Sequence, residues 1–270
     1  MAVDWTVTSN RGTLAHMANL TAVRPPLEEK SIRLGAAPGL LIYHDSPGRA
    51  AKRGTILFYH GLGVDKRAHL FEMSRLAGAG YLVIGIDAVG HGERRYPDYE
   101  ERFTPEKSHD SYYEVVIQTV REVPGLIDEL KKRELADGRG VGMAGISMGG
   151  FICYAAVLED ERVKVITPVI ASPYFRDIPE ISPHLHPDRF FPAAVFSQNA
   201  GADTIVNPAF ARDFHAALEK HYRQNPERLK HVEYPGVEHV MPPSDWSRVV
   251  SGMLEWFKRF MPPAVKENQG

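Results

Sequence analysis

The sequence contains a single cysteine, Cys153, among its 270 residues. One cysteine cannot form an intramolecular disulfide, and so sparse a use of this residue is typical of proteins that work in a reducing compartment. Because Cys153 falls within an apolar, helix-like stretch at 148–160, we expect it to be a residue of the buried core.

Long apolar runs and an excess of charge are also missing. No window approaches the roughly 18 apolar residues of a transmembrane helix. The first residues, MAVDWTVTSNRG, include an acid and no apolar core, which argues against a secretory signal peptide. The formal net charge of −2 at pH 7 provides no general attraction for nucleic acid or an anionic membrane. We therefore expect a cytoplasmic protein without nucleic-acid or membrane partners.

Internal repeats are absent, and short apolar runs alternate with longer helical patterns instead. The predicted strands are residues 31–35, 39–45, 55–61, 81–88, 140–146, 163–171, 193–199 and 230–236. The predicted helices are 66–80, 108–136, 148–160, 207–223 and 244–261. This alternation is typical of an α/β protein with a mostly parallel sheet and helices on both faces. We assign 1–30 to an N-terminal arm, 31–261 to one domain and 262–270 to a polar tail.

Three side chains suited to nucleophilic catalysis follow separate predicted strands. Ser147, Asp203 and His239 come after 140–146, 193–199 and 230–236, and ligands of parallel sheets bind beyond the carboxyl ends of the strands. A serine hydroxyl needs a base to remove its proton, and histidine has a suitable pKa. An acid then fixes the tautomer of the histidine. The spacing predicts a Ser147–His239–Asp203 triad, with Glu238 and Asp188 as rival acids.

The stretch AGISMGG around Ser147 predicts a sharp turn between a strand and a helix. Gly145 and Gly149 leave room for close backbone packing on either side of the serine. Such a turn exposes the hydroxyl at the start of a helix, where free N–H groups favour negative charge. We expect the backbone N–H groups of Met148 and Leu62 to form an oxyanion hole.

The sequence resembles the α/β-hydrolase fold family, and most closely its esterase and dienelactone-hydrolase-like members. The resemblance runs from about residue 31 to 261 and is carried by FYHGLG (58–63), GIDAVGHG (85–92), GISMGG (145–150), GADTIVNP (201–208) and GVEHVMPP (236–243). It implies an eight-stranded, mostly parallel sheet, a Ser-His-acid triad without a cofactor, and hydrolysis of esters or related acyl compounds.

One interval departs from the family pattern. Members of the family often carry a helical cap after the sixth strand, whereas residues 172–192 are few and contain five prolines. We expect a short flap there and not a full cap domain, which favours small substrates. The candidate substrate-pocket residues are Tyr174, Phe175, Phe190, Phe191 and, as a contact for a substrate carboxylate, Arg94. His184 and His186 lack a third ligand, so no metal is expected.

The sequence thus predicts a serine carboxylesterase that cleaves short-chain or small aromatic acyl esters through an acyl-enzyme. A thioesterase or a small-peptide or amide hydrolase with the same triad is the first alternative. A ligand-binding protein that kept the fold and lost catalysis is the second. The sequence leaves the natural substrate open, and also the oligomeric state, for which a homodimer is one alternative.

Overall fold

A computed structural model of the protein describes residues 26–104, 107–175 and 181–262, with the backbone alone at 108 and 109. Most of the predicted N-terminal arm (1–30) and of the polar tail (262–270) lies outside these residues. The described strands are β1 (Glu28–Leu34), β2 (Ala37–Tyr43), β3 (Thr55–Tyr59), β4 (Leu82–Ile86), β5 (Val141–Ile146), β6 (Val163–Val169), β7 (Ala194–Ala200) and β8 (Leu229–Tyr234).

These eight strands form one sheet in the order β1-β2-β4-β3-β5-β6-β7-β8. The strand β2 pairs antiparallel with β1 and β4, and every other pair is parallel. The predicted eight-stranded, mostly parallel sheet is therefore confirmed, and its antiparallel pairs lie at one edge. The carboxyl ends of β3, β5, β7 and β8 consequently lie at the same edge of the sheet.

The first strand begins three residues earlier than the sequence predicts. Glu28 pairs with Tyr43 in the ladder, and its carboxylate accepts a hydrogen bond from the Tyr43 hydroxyl at 3.1 Å. Most of β1 is exposed. An exposed outer strand has no apolar alternation from which its start can be read.

Helices cover both faces of the sheet. They are α1 (Pro47–Ala51), α2 (Leu70–Gly78), α3 (Tyr99–Arg102), α4 (Ser108–Lys132), α5 (Met148–Glu159), α6 (Pro208–Glu219) and α7 (Pro243–Phe260). The helices α4, α5 and α6 share one hydrophobic core with the sheet, and α2 and α7 share the other. The helix α5 is buried along nearly its whole length, which confirms Cys153 as a core residue.

Two regions frame the sheet. After β6, the described part of 172–192 holds only the 3-10 turns Pro183–Leu185 and Pro187–Arg189, as expected for a short flap. At the far edge, β8 is an outer strand whose residues are mostly half-buried. In the described part of the chain, no helix is both long enough and apolar enough to cross a membrane.

Candidate active site

Ser147 occupies a strained turn between β5 and α5. Its φ of 52° and ψ of −115° fall outside the regions that residues with a side chain readily adopt. The Ser147 N–H donates to the Val169 carbonyl at 2.9 Å, and its carbonyl accepts from the Gly150 N–H at 2.8 Å. These bonds hold the turn from both sides, so the hydroxyl is presented at the carboxyl edge of the sheet.

The glycines beside the turn allow backbone segments to touch. A Cβ at Gly145 would overlap the carbonyl of Gly149, and a Cβ at Gly149 would overlap the carbonyl of Tyr59. The helix start, β5 and β3 therefore pack without intervening side chains. The two small residues are therefore needed for close backbone packing, as predicted from the sequence.

The structure brings His239 and Asp203 into direct contact. The His239 Nδ1 lies 2.7 Å from the Asp203 Oδ2, and the Asp203 side chain is almost completely buried. The other carboxylate oxygen accepts hydrogen bonds from the N–H groups of Ile205 and Val206 at 2.8 and 2.9 Å. Because the carboxylate is an acceptor only, the facing His239 nitrogen carries the proton. The rival acids Glu238 and Asp188 are exposed instead.

Ser147 and His239 line the same cavity, which has a volume of about 940 Å³. In the described part of the chain no hydrogen bond joins the two side chains; catalytic contacts of this kind often tighten only when substrate binds. The cavity walls are mostly apolar. They comprise Gly61, Leu62, Val64, His69, Tyr112, Tyr113, Ile146, Ser147, Phe151, Ile170, Ile205, Val206, His239, Val240, Met241 and Trp246.

Two backbone N–H groups that lie close to Ser147 make no hydrogen bond within the described residues. These belong to Met148, the first residue of α5, and to Leu62, in the loop after β3; neither donates a hydrogen bond within the described residues. A Cβ built at Gly61 would lie 3.9 Å from the Ser147 Cβ, so the loop runs directly alongside the turn. Donors in this position are suited to hold the negative oxygen of an acyl-transfer intermediate.

His60 ties this loop to the loop after β4. Its Nε2 accepts from the Ala88 N–H at 3.1 Å, so the proton resides on Nδ1, which lies 2.7 Å from the Gly61 carbonyl. Burial lowers the pKa of His60 to about 4. The ring is neutral at physiological pH, and its two bonds fix the position of the Gly61–Leu62 backbone.

Asp87 anchors the loop after β4 in the same region. Its buried carboxylate accepts from the Lys66 N–H at 2.8 Å, from the Lys66 ammonium at 2.7 Å and from the Glu93 N–H at 3.0 Å. Burial by itself raises the pKa of Asp87, but these bonds outweigh it and hold the pKa below its ordinary value. Asp87 therefore stays ionised and orders both loops.

Most of the residues predicted to line the pocket lie elsewhere. Phe190 is fully buried against Phe214, with ring centroids 5.0 Å apart. Phe191 packs on Tyr222 at 5.5 Å. Arg94 forms an ion pair with Glu122 of α4 at 2.7 Å. These three differences from the prediction have one cause. Aromatic and basic residues in the flap and after β4 contact partners elsewhere in the fold, and spacing along the chain does not indicate those contacts.

The two other predicted pocket residues lie closer to the cavity. Tyr174 lines a smaller adjoining space of about 300 Å³, where its ring stacks on Phe210 at 4.6 Å. Phe175 is buried and stacks on Phe151 at 5.8 Å. Phe175 therefore supports the wall of the main cavity from behind.

Sequence reasoning missed the tyrosines that form one wall of the cavity. Tyr112 and Tyr113 come from the first turns of α4, and the Tyr112 ring meets Phe151 of α5 edge-on at 5.3 Å. They lie far from Ser147 in the sequence and belong to no motif. The only available signal was the amphipathic pattern of the helix, which places them toward the sheet. Within the described residues, no cluster of three or more His, Cys, Asp or Glu side chains is arranged to hold a metal ion.

The fold and the residues at its carboxyl edge define an α/β-hydrolase. Residues 50–195 match the family described as "Serine aminopeptidase, S33". The match spans more than half of the sequence, and the chain belongs to this family of hydrolases.

Relatives and solved structures agree with this assignment. The Bacillus subtilis (strain 168) protein YitV, which carries a provisional esterase name, is 23% identical over 235 residues, covering 76% of this chain and 89% of YitV. TT1662 from Thermus thermophilus is 19% identical, with a TM-score of 0.73 over 87% of this chain and 98% of its own. A dienelactone hydrolase from Anabaena variabilis is 21% identical, with a TM-score of 0.62 over 88% and 99%. At these identities the solved structures establish the fold alone.

Proposed function

We propose that the protein is a serine esterase that cleaves carboxylic esters through an acyl-enzyme on Ser147. The observation that carries the proposal is the 2.7 Å contact between His239 Nδ1 and Asp203 Oδ2, made at a cavity that Ser147 also lines. A base oriented by a buried acid, together with a serine on a strained turn, is the arrangement that nucleophilic acyl transfer requires.

In the proposed reaction His239 removes the Ser147 proton as the hydroxyl oxygen attacks the ester carbonyl. The proton then passes to the departing alcohol, and the acyl group remains on the serine. A water molecule, deprotonated by the same histidine, hydrolyses this intermediate and restores the enzyme. Asp203 stays ionised, holds the ring and stabilises the imidazolium.

The Leu62 and Met148 N–H groups hold the oxyanion in each addition step. Both are free of protein acceptors in the described residues, and the positive end of α5 lies at the same point. Each such donor lowers the barrier of acyl transfer by roughly 2.7–4 kcal/mol. Because His60 fixes the Gly61 carbonyl, the Leu62 donor is positioned before substrate binds.

The substrates that the cavity favours are uncharged, with short-chain or small aromatic acyl groups. Tyr112, Phe151, Ile170 and Trp246 give the walls an apolar and aromatic character. A volume of about 940 Å³ lies near the upper end for small-molecule sites, which run from about 300 to 1,000 Å³. Acyl chains of medium length are therefore also accommodated.

Amide hydrolysis is the alternative that the family description raises. A puromycin-hydrolysing peptidase from Mycobacterium tuberculosis has a TM-score of 0.69 at 16% identity, and this chain spans 41% of its length. An aminopeptidase binds the charged amino group of its substrate, for which a carboxylate is the natural partner. No Asp or Glu is found among the cavity-lining residues of the described chain, so esters, or thioesters with the same triad, rank above peptides.

The test compares wild type with Ser147→Ala on nitrophenyl esters from acetate to octanoate. We expect the variant to lose at least about 10³-fold in kcat, and a fluorophosphonate probe to label the wild type only. Ser251→Ala removes an exposed hydroxyl on α7 and serves as the matched control with unchanged rates. Equal hydrolysis by wild type and Ser147→Ala would exclude the proposal, and absence of labelling would favour a non-catalytic binding protein.

A further inference from the structure

A second histidine–carboxylate pair lies at the wall of the cavity, apart from Asp203 and His239. His69 precedes α2 and lines the cavity, as does Trp246 of α7. Behind both lies Glu72, a carboxylate on the first turn of α2 that is only 5% exposed. The His69 Nδ1 is 3.7 Å from the Glu72 Oε2, and the Trp246 Nε1 donates a hydrogen bond to Oε1.

This carboxylate is held in its ionised form. Burial alone raises the pKa of Glu72, but the interactions with His69 and Trp246 outweigh it and lower the pKa below its ordinary value. The negative charge therefore lies directly behind two residues that line the cavity.

The charge determines which hydrogen-bonding group His69 offers. A separation of 3.7 Å is longer than a hydrogen bond, yet a facing carboxylate still favours the proton on the nearer ring nitrogen. Nε2 then carries the lone pair, and it has no hydrogen-bond partner within the described residues. The side chain of His69 makes no capping hydrogen bond at the start of α2, so the ring is not engaged by that helix.

The surroundings decide between possible ligands of this nitrogen. No Lys or Arg is found among the residues that line the described cavity, and Glu72 adds negative charge behind His69. A substrate carboxylate is therefore disfavoured at this point. A neutral group with a proton to donate pairs with the lone pair without bringing charge into an apolar space.

We propose that His69, oriented by Glu72, is a specificity residue whose Nε2 accepts a hydrogen bond from a hydroxyl or amide N–H on the substrate, away from the ester bond. This inference rests on the proposed esterase function and names a polar group that its substrate carries. His69 takes no part in the proton transfers at Ser147.

The test uses pairs of esters that differ only by a hydroxyl or a methoxy group. One set carries the group at the end of acyl chains of increasing length, and the other carries it on the alcohol portion; hydrolysis is followed by acid release at constant pH. We expect wild type to have a higher kcat/KM for the hydroxyl member than for the methoxy member of at least one pair. His69→Phe should reduce this hydroxyl-to-methoxy ratio by about tenfold or more. A loss of activity that affects both members of a pair equally cancels in this ratio.

Two further variants separate recognition from structure. Glu72→Gln keeps an acceptor for Trp246 but removes the charge, and we expect a partial fall of the same ratio. Phe71→Ala changes an exposed residue of the same helix that does not line the cavity, and its ratio should equal that of wild type. Two results would overturn the inference. One is that His69→Phe leaves the hydroxyl-to-methoxy ratio of kcat/KM unchanged in every pair. The other is that wild type prefers matched esters that carry a carboxylate in place of the hydroxyl. If Ser147→Ala hydrolysed the methoxy esters as fast as wild type, the esterase proposal itself would fail instead.

Discussion

At the scale of single residues, the turn at Ser147 depends on a missing side chain. A Cβ at Gly145 would overlap the Gly149 backbone, and packed backbone cannot move aside cheaply. We expect Gly145→Ala to lower the free energy of unfolding by about 1–3 kcal/mol, as overpacking does, and to lower esterase activity as the turn shifts. Urea denaturation and nitrophenyl ester hydrolysis measure the two effects.

Gly125→Ala is the matched control for this substitution. A Cβ at Gly125, within α4, meets nothing within 4 Å, so the variant should be unchanged or up to about 1 kcal/mol more stable because alanine favours helix. Equal destabilisation of the two variants would show that the close backbone contact at 145 has no special role.

Asp203→Asn tests how His239 is oriented. The asparagine oxygen can still accept from the N–H groups of Ile205 and Val206, so we expect the melting temperature to change little. Its amide group, in contrast, presents a donor to His239 Nδ1 and favours the wrong tautomer. We expect kcat to fall by about 10³–10⁴-fold, as for the corresponding change in serine proteases. A variant that kept more than about a tenth of the wild-type kcat would contradict this role.

At the scale of elements, the loops after β3 and β4 are joined by one ammonium group held between two carboxylates. Lys66 Nζ lies 2.7 Å from Asp87, which is fully buried, and 2.6 Å from Glu93, which is 54% exposed. We expect Asp87→Asn to reduce the free energy of unfolding by about 3–5 kcal/mol, the usual cost of breaking a buried pair. Glu93→Gln should cost less than about 1 kcal/mol.

A double-mutant cycle with Lys66→Met completes this test by denaturant unfolding. Once the ammonium is gone, the effect of Asp87→Asn should shrink because the paired charge no longer exists. Additive losses, or similar losses for the two carboxylates, would mean that burial does not set the strength of this connection.

At the scale of the whole molecule, buried histidines make stability depend on pH. Burial lowers the pKa of His60 from 6.5 to about 4 and also lowers that of His215, which is enclosed near Ser197 and His231. Such a ring takes up a proton more readily in the unfolded chain. The stabilisation that the neutral ring contributes to the folded protein is therefore complete above pH 6.5 and is lost as the pH falls. For His60 alone the loss by pH 5 is about 2 kcal/mol.

We accordingly expect urea midpoints to fall steadily from pH 7 to pH 5. His215→Gln should show a shallower slope than wild type because one of these groups is removed, whatever its stability at pH 8. Identical slopes for the two proteins would assign the acid sensitivity to other groups.

The sequence was sufficient for the sheet because apolar runs, glycines and strand ends are local signals. The prediction that the residues after β5, β7 and β8 lie together required only the rule that parallel strands end at a common edge. The lining of the cavity could not be obtained in the same way. Tyr112 enters it from α4, and Trp246 enters it from α7, through packing of helices whose angles no motif records.

The errors in the pocket have the same physical origin. The sequence predicts Phe190, in the flap, and Arg94, beyond the end of β4, as pocket residues from their side-chain chemistry. In the structure Phe190 is fully buried in the core and Arg94 forms an ion pair with Glu122. A side chain's surroundings depend on segments distant in sequence, so chemistry and position alone misplace aromatic and basic residues in irregular loops.

The outer position of β8 has a further consequence for the behaviour of the protein at high concentration. An unpaired strand edge invites another chain to add to the sheet and so begins aggregation. On β8, Glu233 forms an ion pair with Arg212 at 2.8 Å, and the Lys230 ammonium lies 4.6 Å from the centre of the Phe196 ring. Charges fixed along this edge oppose such strand addition and so disfavour assembly into β-fibrils through β8.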